Sequence, residues 1–276
     1  MKESAGEGMN SGQVIVRKGR KPAEQAGMND IDLFATTAKG LEELLAAEII
    51  GLGATKVHRM PGGVQFSGDQ ALLCRANLWL RTANRVLLKL AAFPCVSPDD
   101  LYAGVKAIPW HNWLNPKMTL AVSCTLKDSA MTHSGYAALK AKDAIVDALR
   151  DHFGERSSVD TQQPDLPVQL YIRRNHCTLY LDTSGEPLDR RGYRLERGEA
   201  PLREHLAAAL VLLSGWQGDV PLYDPFCGAG TILVEAALIA ANKAPGLLRD
   251  RFAFLGWPGF PQAVWQQERA AAVLRW

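Results

Sequence analysis
The chain has 276 residues, 47% of them hydrophobic and 22% charged, with a formal net charge of +2. These proportions fit a folded globular protein with one or two cores and exclude a nucleic-acid binder legible from bulk charge, so any such role must rest on local clusters. Cys74, Cys95, Cys124, Cys177 and Cys227 form no C-x-x-C pair, no apolar run reaches the about 18 residues of a membrane helix, and the N-terminus lacks an apolar signal core; a reduced, cytoplasmic protein without metal or membrane is expected.

Residues 1–29 are rich in Gly, Ser, Lys, Arg and Glu and read as a disordered extension, its basic run Arg17–Lys21 a solvated tail. A strand is expected at Ile31–Thr36. A helix follows over Leu41–Leu52, with Leu41, Leu44, Leu45, Ile49 and Leu52 on one stripe. Strands Lys56–Met60 and Gly63–Gly68 flank the Pro61-Gly62-Gly63 turn, and a helix at Asp69–Leu80 leads to a strand at Arg85–Phe93. Strand, helix, strand, strand, helix, strand is the ferredoxin-like order, giving a subdomain over 30–93.

A second unit spans 94–185. It has a helix at Asp99–Ala107, a strand at Met118–Leu126, a long helix at Ser134–Phe153, and strands at Val168–Ile172 and Cys177–Asp182. Lys127, His133, Lys140 and Lys142 stand where one basic face could bind RNA phosphates, an ordinary charged helix surface being the alternative. Next come Arg190, Arg191, Arg194, Arg197 and Arg203, with Tyr193 among them. Arginines beside an aromatic suit phosphate and base, which makes Arg191 and Arg194 candidate RNA contacts, although Asp189, Glu196 and Glu199 offer salt bridges instead. Pro201 opens a further helix. His58, His111, His133 and His205 lack partners at ligand spacing, so no metal is expected.

The chemistry-bearing stretch is Asp224-Pro225-Phe226-Cys227-Gly228-Ala229-Gly230-Thr231. It follows the apolar run Val220–Tyr223, read as a strand, and precedes a helix over Ile232–Ala241. Strand, glycine turn and helix place a nucleotide-sized site at the carboxyl edge of a parallel sheet. No lysine follows Gly230, which disfavours a nucleoside triphosphate loop. Leu233 replaces the third glycine of a dinucleotide fingerprint. S-adenosylmethionine, which has no phosphate and needs an acid such as Asp224 near its amino group, remains. An ordinary turn with two glycines is the competing reading. Cys227 reads as a packing thiol.

This stretch resembles the first cofactor motif of the THUMP-containing class I RNA methyltransferases. Asp182–Leu188, Arg191-Gly192-Tyr193-Arg194 and Gly198–Glu204 support the likeness, which runs from about Leu33 to about Phe260. The resemblance implies an α/β protein with an α+β front: a ferredoxin-like subdomain, a THUMP RNA-binding domain and, over 186–276, the start of a Rossmann-like methyltransferase domain. It implies S-adenosylmethionine as cofactor, 23S ribosomal RNA as partner and guanine N2 as target. It also makes the arginine segment a connector that shapes the cofactor pocket. A non-catalytic RNA-binding module and a DNA adenine-N6 methyltransferase are the alternatives.

One departure stands out. The family's Asn-Pro-Pro-Tyr catalytic motif is absent, the only Asn-Pro being Asn115-Pro116, so no catalytic residue is assigned. The acids after the motif, Asp250 and Glu268, follow no strand-like run, and Pro245, Pro258 and Pro261 with Trp257, Trp265 and Trp276 suggest an insertion. The chain reads as stopping inside its methyltransferase domain.

Overall fold
The computed structural model describes residues 30–194 and 202–276; the N-terminal extension, Glu196, Arg197, Glu199 and Pro201 lie outside them. The first module comprises β1 (Ile31–Thr36), α1 (Glu42–Gly51), β2 (Thr55–Met60), β3 (Gly63–Gly68), α2 (Gln70–Trp79) and β4 (Arg85–Pro94), in the ferredoxin-like order. The second comprises α3 (Pro98–Lys106), β5 (Thr119–Lys127), α4 (Ser134–Phe153), β6 (Ser158–Val159), β7 (Leu166–Arg173) and β8 (His176–Asp182). Short polar side chains start α2 and α3. Asp69 accepts from the Leu72 N–H at 2.7 Å to cap α2, and Ser97 with Asp100 forms a reciprocal capping box on α3.

Both modules share one eight-stranded sheet in the order β2-β3-β1-β4-β8-β7-β5-β6. The seam is the antiparallel β4–β8 pair, with Leu88 opposite Leu181 and Phe93 opposite Cys177. A boundary drawn between residues 93 and 94 therefore divides the chain but not the sheet. Alternation sends Leu33, Phe66, Leu88, Val168, Leu170 and Leu179 to one face, where they meet Leu45, Leu72, Leu101 and Ile145 of the helices in a continuous core. The opposite face carries Phe34, Lys89, Tyr171 and Tyr180, all half-buried.

The remaining helices are α5 (Glu204–Leu213), α6 (Thr231–Ala240) and α7 (Gln262–Val273). The α5 helix packs on α6, and α7 packs on α2. Phe252, Phe254, Trp257 and Trp265, from the segment read as an insertion, join the main core. Gly246 lies so close to α2 that a Cβ there would come within 2.7 Å of Leu78 Cα and the Asn77 carbonyl oxygen.

One expected element is missing. Val220–Tyr223 is not a strand, because no described strand lies beside it to take its backbone hydrogen bonds, and a parallel strand exists only between partners.

Candidate functional site
The glycine turn forms without its strand. Gly228 and Gly230 have φ of +52° and +70°, and a Cβ on either would meet nothing within 4 Å. Backbone conformation, not crowding, thus demands glycine here. The Gly230 N–H donates to the Cys227 carbonyl at 2.7 Å, and the Phe226 N–H donates to Asp224 Oδ1 at 3.1 Å. Gly230 supplies no side-chain cap to α6, so among the described residues the helix's first amides have no side-chain acceptor at its positive end. Tyr223 and Phe226 are 87% and 93% exposed. Cys227, expected to pack, is exposed as well, for the same lack of neighbouring strands.

The helix beneath the turn is fastened from inside. Glu235 Oε1 on α6 accepts from the Tyr193 hydroxyl at 3.0 Å and from Arg191 Nε at 3.5 Å. Arg191 is only 1% exposed; its Nη1 donates to the Leu188 carbonyl at 2.6 Å and its Nη2 to the Arg81 carbonyl at 2.5 Å. Burial pushes the Glu235 carboxyl up, and the Arg191 charge pulls it back. Arg194 Nε donates to Glu204 at 3.0 Å, while its Nη2 reaches the Leu202 carbonyl at 3.0 Å and the Thr231 hydroxyl at 3.2 Å. The expectation of RNA contact at Arg191 and Arg194 is therefore corrected: Arg191 is buried with Nε, Nη1 and Nη2 all on internal acceptors, Arg194 spends Nε and Nη2 in the same way, and both brace the turn. Asp189 pairs with His205 at 3.5 Å, and with none of the described arginines.

Sequence reasoning missed the next layer. Glu48 is half-buried, accepting from the Arg81 N–H at 2.8 Å, the Thr82 N–H at 3.1 Å and the Thr82 hydroxyl. Desolvation raises its carboxyl above the ordinary value. Arg81 donates onward to the Lys243 and Leu238 carbonyls at 2.9 and 3.3 Å, closing the far end of α6. An acid inside the apolar stripe of α1 was the available signal. Glu268 is ion-paired with Arg75 at 2.9 Å, which takes it away from any cofactor role.

The proposed basic face splits in two. Lys140 pairs with Asp99 at 3.2 Å and sits 5.2 Å from the Tyr102 ring centre. Lys142 pairs with Asp143 at 2.8 Å. His133 caps α4, its Nδ1 accepting from the Tyr136 N–H at 3.0 Å. Lys127, by contrast, alternates with Leu126 and so leaves from the sheet face opposite α4. Among the described residues no three His, Cys, Asp or Glu side chains are grouped to hold a metal ion, and no described helix is long and apolar enough to cross a membrane.

Comparison with known proteins decides the family. A model described as the RlmL ferredoxin-like domain matches residues 32–87, the THUMP domain model matches 95–182, and the RMKL-like methyltransferase domain model matches 191–275. A Listeria monocytogenes protein, described as a predicted N6-adenine-specific DNA methylase, is 36% identical; the match covers 93% of this chain and 68% of that one with a TM-score of 0.81. The chain belongs to the THUMP-containing class I methyltransferase family. Within that family, a Synechocystis protein provisionally named an RNA methyltransferase is 47% identical over 84% of this chain and 60% of its own length. This chain thus spans three-fifths of that curated relative. The methyltransferase SMU.472, so described provisionally and solved with SAH, matches at 32% identity and a TM-score of 0.79, over 90% of this chain and 66% of that one. S-adenosylmethionine is the cofactor of the family. The open, left-handed glycines, the start of α6 and the half-buried Asp224 fit one side of such a ligand.

Proposed function
We propose that this chain is the RNA-capturing and cofactor-floor portion of an S-adenosylmethionine-dependent RNA methyltransferase. The observation that carries the reading is the turn Asp224–Thr231, set on α6 and tied through Glu235 and Arg191 to the ferredoxin-like module. In it Asp224 would receive the cofactor's amino group, and Pro225, Phe226, Cys227, Gly228, Ala229, Gly230 and Thr231 would form the floor. When bound, the cofactor supplies an electrophilic methyl group. The protein's part is to bind and orient: the glycines admit close approach, and Arg194 holds the Thr231 hydroxyl in place.

Guanine N2 of 23S ribosomal RNA is the proposed target, supported by the motif resemblance and by the RNA methyltransferase name of the Synechocystis relative. The exposure of Tyr223 and Phe226 favours a second reading, a chain that binds RNA without turning over. On either reading the missing Asn-Pro-Pro-Tyr motif leads us to expect weak or undetectable methyl transfer from residues 1–276 alone.

Calorimetric titration with S-adenosylhomocysteine tests the turn. Wild type is expected to bind, and Asp224→Ala to weaken binding at least tenfold; equal binding by the two would sink the assignment. Transfer of labelled methyl groups to 23S RNA by 1–276 would overturn the statement on turnover, and label appearing in DNA adenine instead would replace the RNA reading.

A further inference from the structure
The face of the sheet turned away from the helices holds a groove of about 280 Å³ lined only by strands and the β2–β3 turn. Its floor is aromatic. The Phe34 and Tyr180 ring centres are 6.0 Å apart. Tyr180 lies opposite Gln169 and Tyr171 opposite Thr178, which puts the two tyrosines on a diagonal within reach of each other. Gly63 keeps the floor open, since a Cβ there would meet the Phe34 ring at 2.6 Å. Cations stand at one end: Lys127 and Arg173 are register partners on β5 and β7. Neither takes part in an ion pair among the described residues, and Arg173 Nε is buried without an acceptor.

We infer that this groove takes single-stranded RNA, with bases stacked on Tyr180, Tyr171 and Phe34 and backbone phosphate held by Lys127 and Arg173. The proposal rests on the RNA-capture reading above and moves the capture surface from α4 to the bare side of the sheet. Charge complementarity and chemistry both support this occupant. A stacked aromatic floor accepts any base face, and a cationic end meets a polyanion. The small groove admits one strand rather than a duplex. Sheets of ferredoxin-like order present aromatic residues to unpaired bases in this manner elsewhere. The α4 cations are less available, because Lys140 and Lys142 already hold carboxylates.

The test is fluorescence anisotropy on the full chain with a labelled uridine dodecamer and an RNA duplex of the same length. Wild type is expected to prefer the single strand. Tyr171→Ala should weaken it about tenfold, Tyr171→Phe should bind as wild type does, and Tyr171→Leu, which keeps the apolar volume, should fail like the alanine. Arg173→Gln should lower the salt dependence by about 0.7 in the log–log slope, the loss of one phosphate contact. Three results overturn the inference. If wild type binds neither RNA, the capture reading falls with it. If the tyrosine variants bind normally while Lys140→Ala with Lys142→Ala does not, capture survives on α4 and the groove is discarded. If polyglutamate displaces the strand as well as unlabelled RNA does, the groove is an acidic-protein site.

Discussion
At the scale of single residues, the Arg191–Glu235 pair carries the most consequence. Arg191 and Glu235 are 1% and 0% exposed, and each has been taken out of water at a cost that only the partner and the surrounding carbonyls offset. Removing one member strands the other. Arg191→Met is expected to lower unfolding free energy by about 3 kcal/mol in urea titrations. The double variant Arg191→Met with Glu235→Gln should recover most of the loss, since glutamine still accepts from Tyr193. A double variant no better than the single one would show that Arg191 acts through its bonds to the Leu188 and Arg81 carbonyls instead. None of this was visible from spacing. The sequence shows arginines, a tyrosine and several acids close together, but Glu235 lies 44 positions from Arg191, and only the fold selects it over Glu196 or Glu199.

Among the elements, α3 shows how local sequence sets both a helix and its response to pH. The Ser97 and Val96 N–H groups donate to Asp100 Oδ2 at 2.9 and 3.0 Å, and the Asp100 N–H donates to the Ser97 hydroxyl at 3.1 Å. Donation from Ser97, reinforced by Val96, holds the Asp100 carboxyl below its ordinary value. A depressed folded value stabilises above the unfolded value and is lost as pH falls through the folded one. Ser97→Ala should cost about 1 kcal/mol at neutral pH. Asp100→Asn should be less stable than wild type at neutral pH and match it in strong acid, as read by thermal melts across pH; a gap independent of pH would deny the carboxylate this role. Elements of this kind were legible, since caps, turns and alternation are local: α4 begins and ends at the expected Ser134 and Phe153. The strand at Val220–Tyr223 was misjudged for the opposite reason. Its apolar residues are right for a strand, but pairing depends on neighbours that composition does not reveal. The α7 helix went unread because prolines and tryptophans before it masked a short polar helix.

For the molecule as a whole, a tight joint between the C-terminal segment and the first module is the backbone approach of Gly246 to α2. A methyl group there would press on Leu78 Cα and on the Asn77 and Leu78 carbonyl oxygens at 2.7–2.9 Å, none of which is a flexible side-chain end. Gly246→Ala is expected to destabilise the chain by about 1–3 kcal/mol. It should also raise amide exchange in α7, which packs on the same helix; unchanged exchange there would mean the joint relaxes locally. The order of modules was readable from the chain, whereas their fusion was not, because β4 gave no sign that it would pair with β8.

That seam also carries a timetable. Arg85 and Asp182, partners across it, are 97 positions apart, so the first module leaves the ribosome with one sheet edge bare until β8 follows. At typical elongation rates the interval is about 5–20 seconds. During it β4 is an unprotected template for stray strands, and the nascent chain is at its most dependent on chaperones before the second module has finished folding.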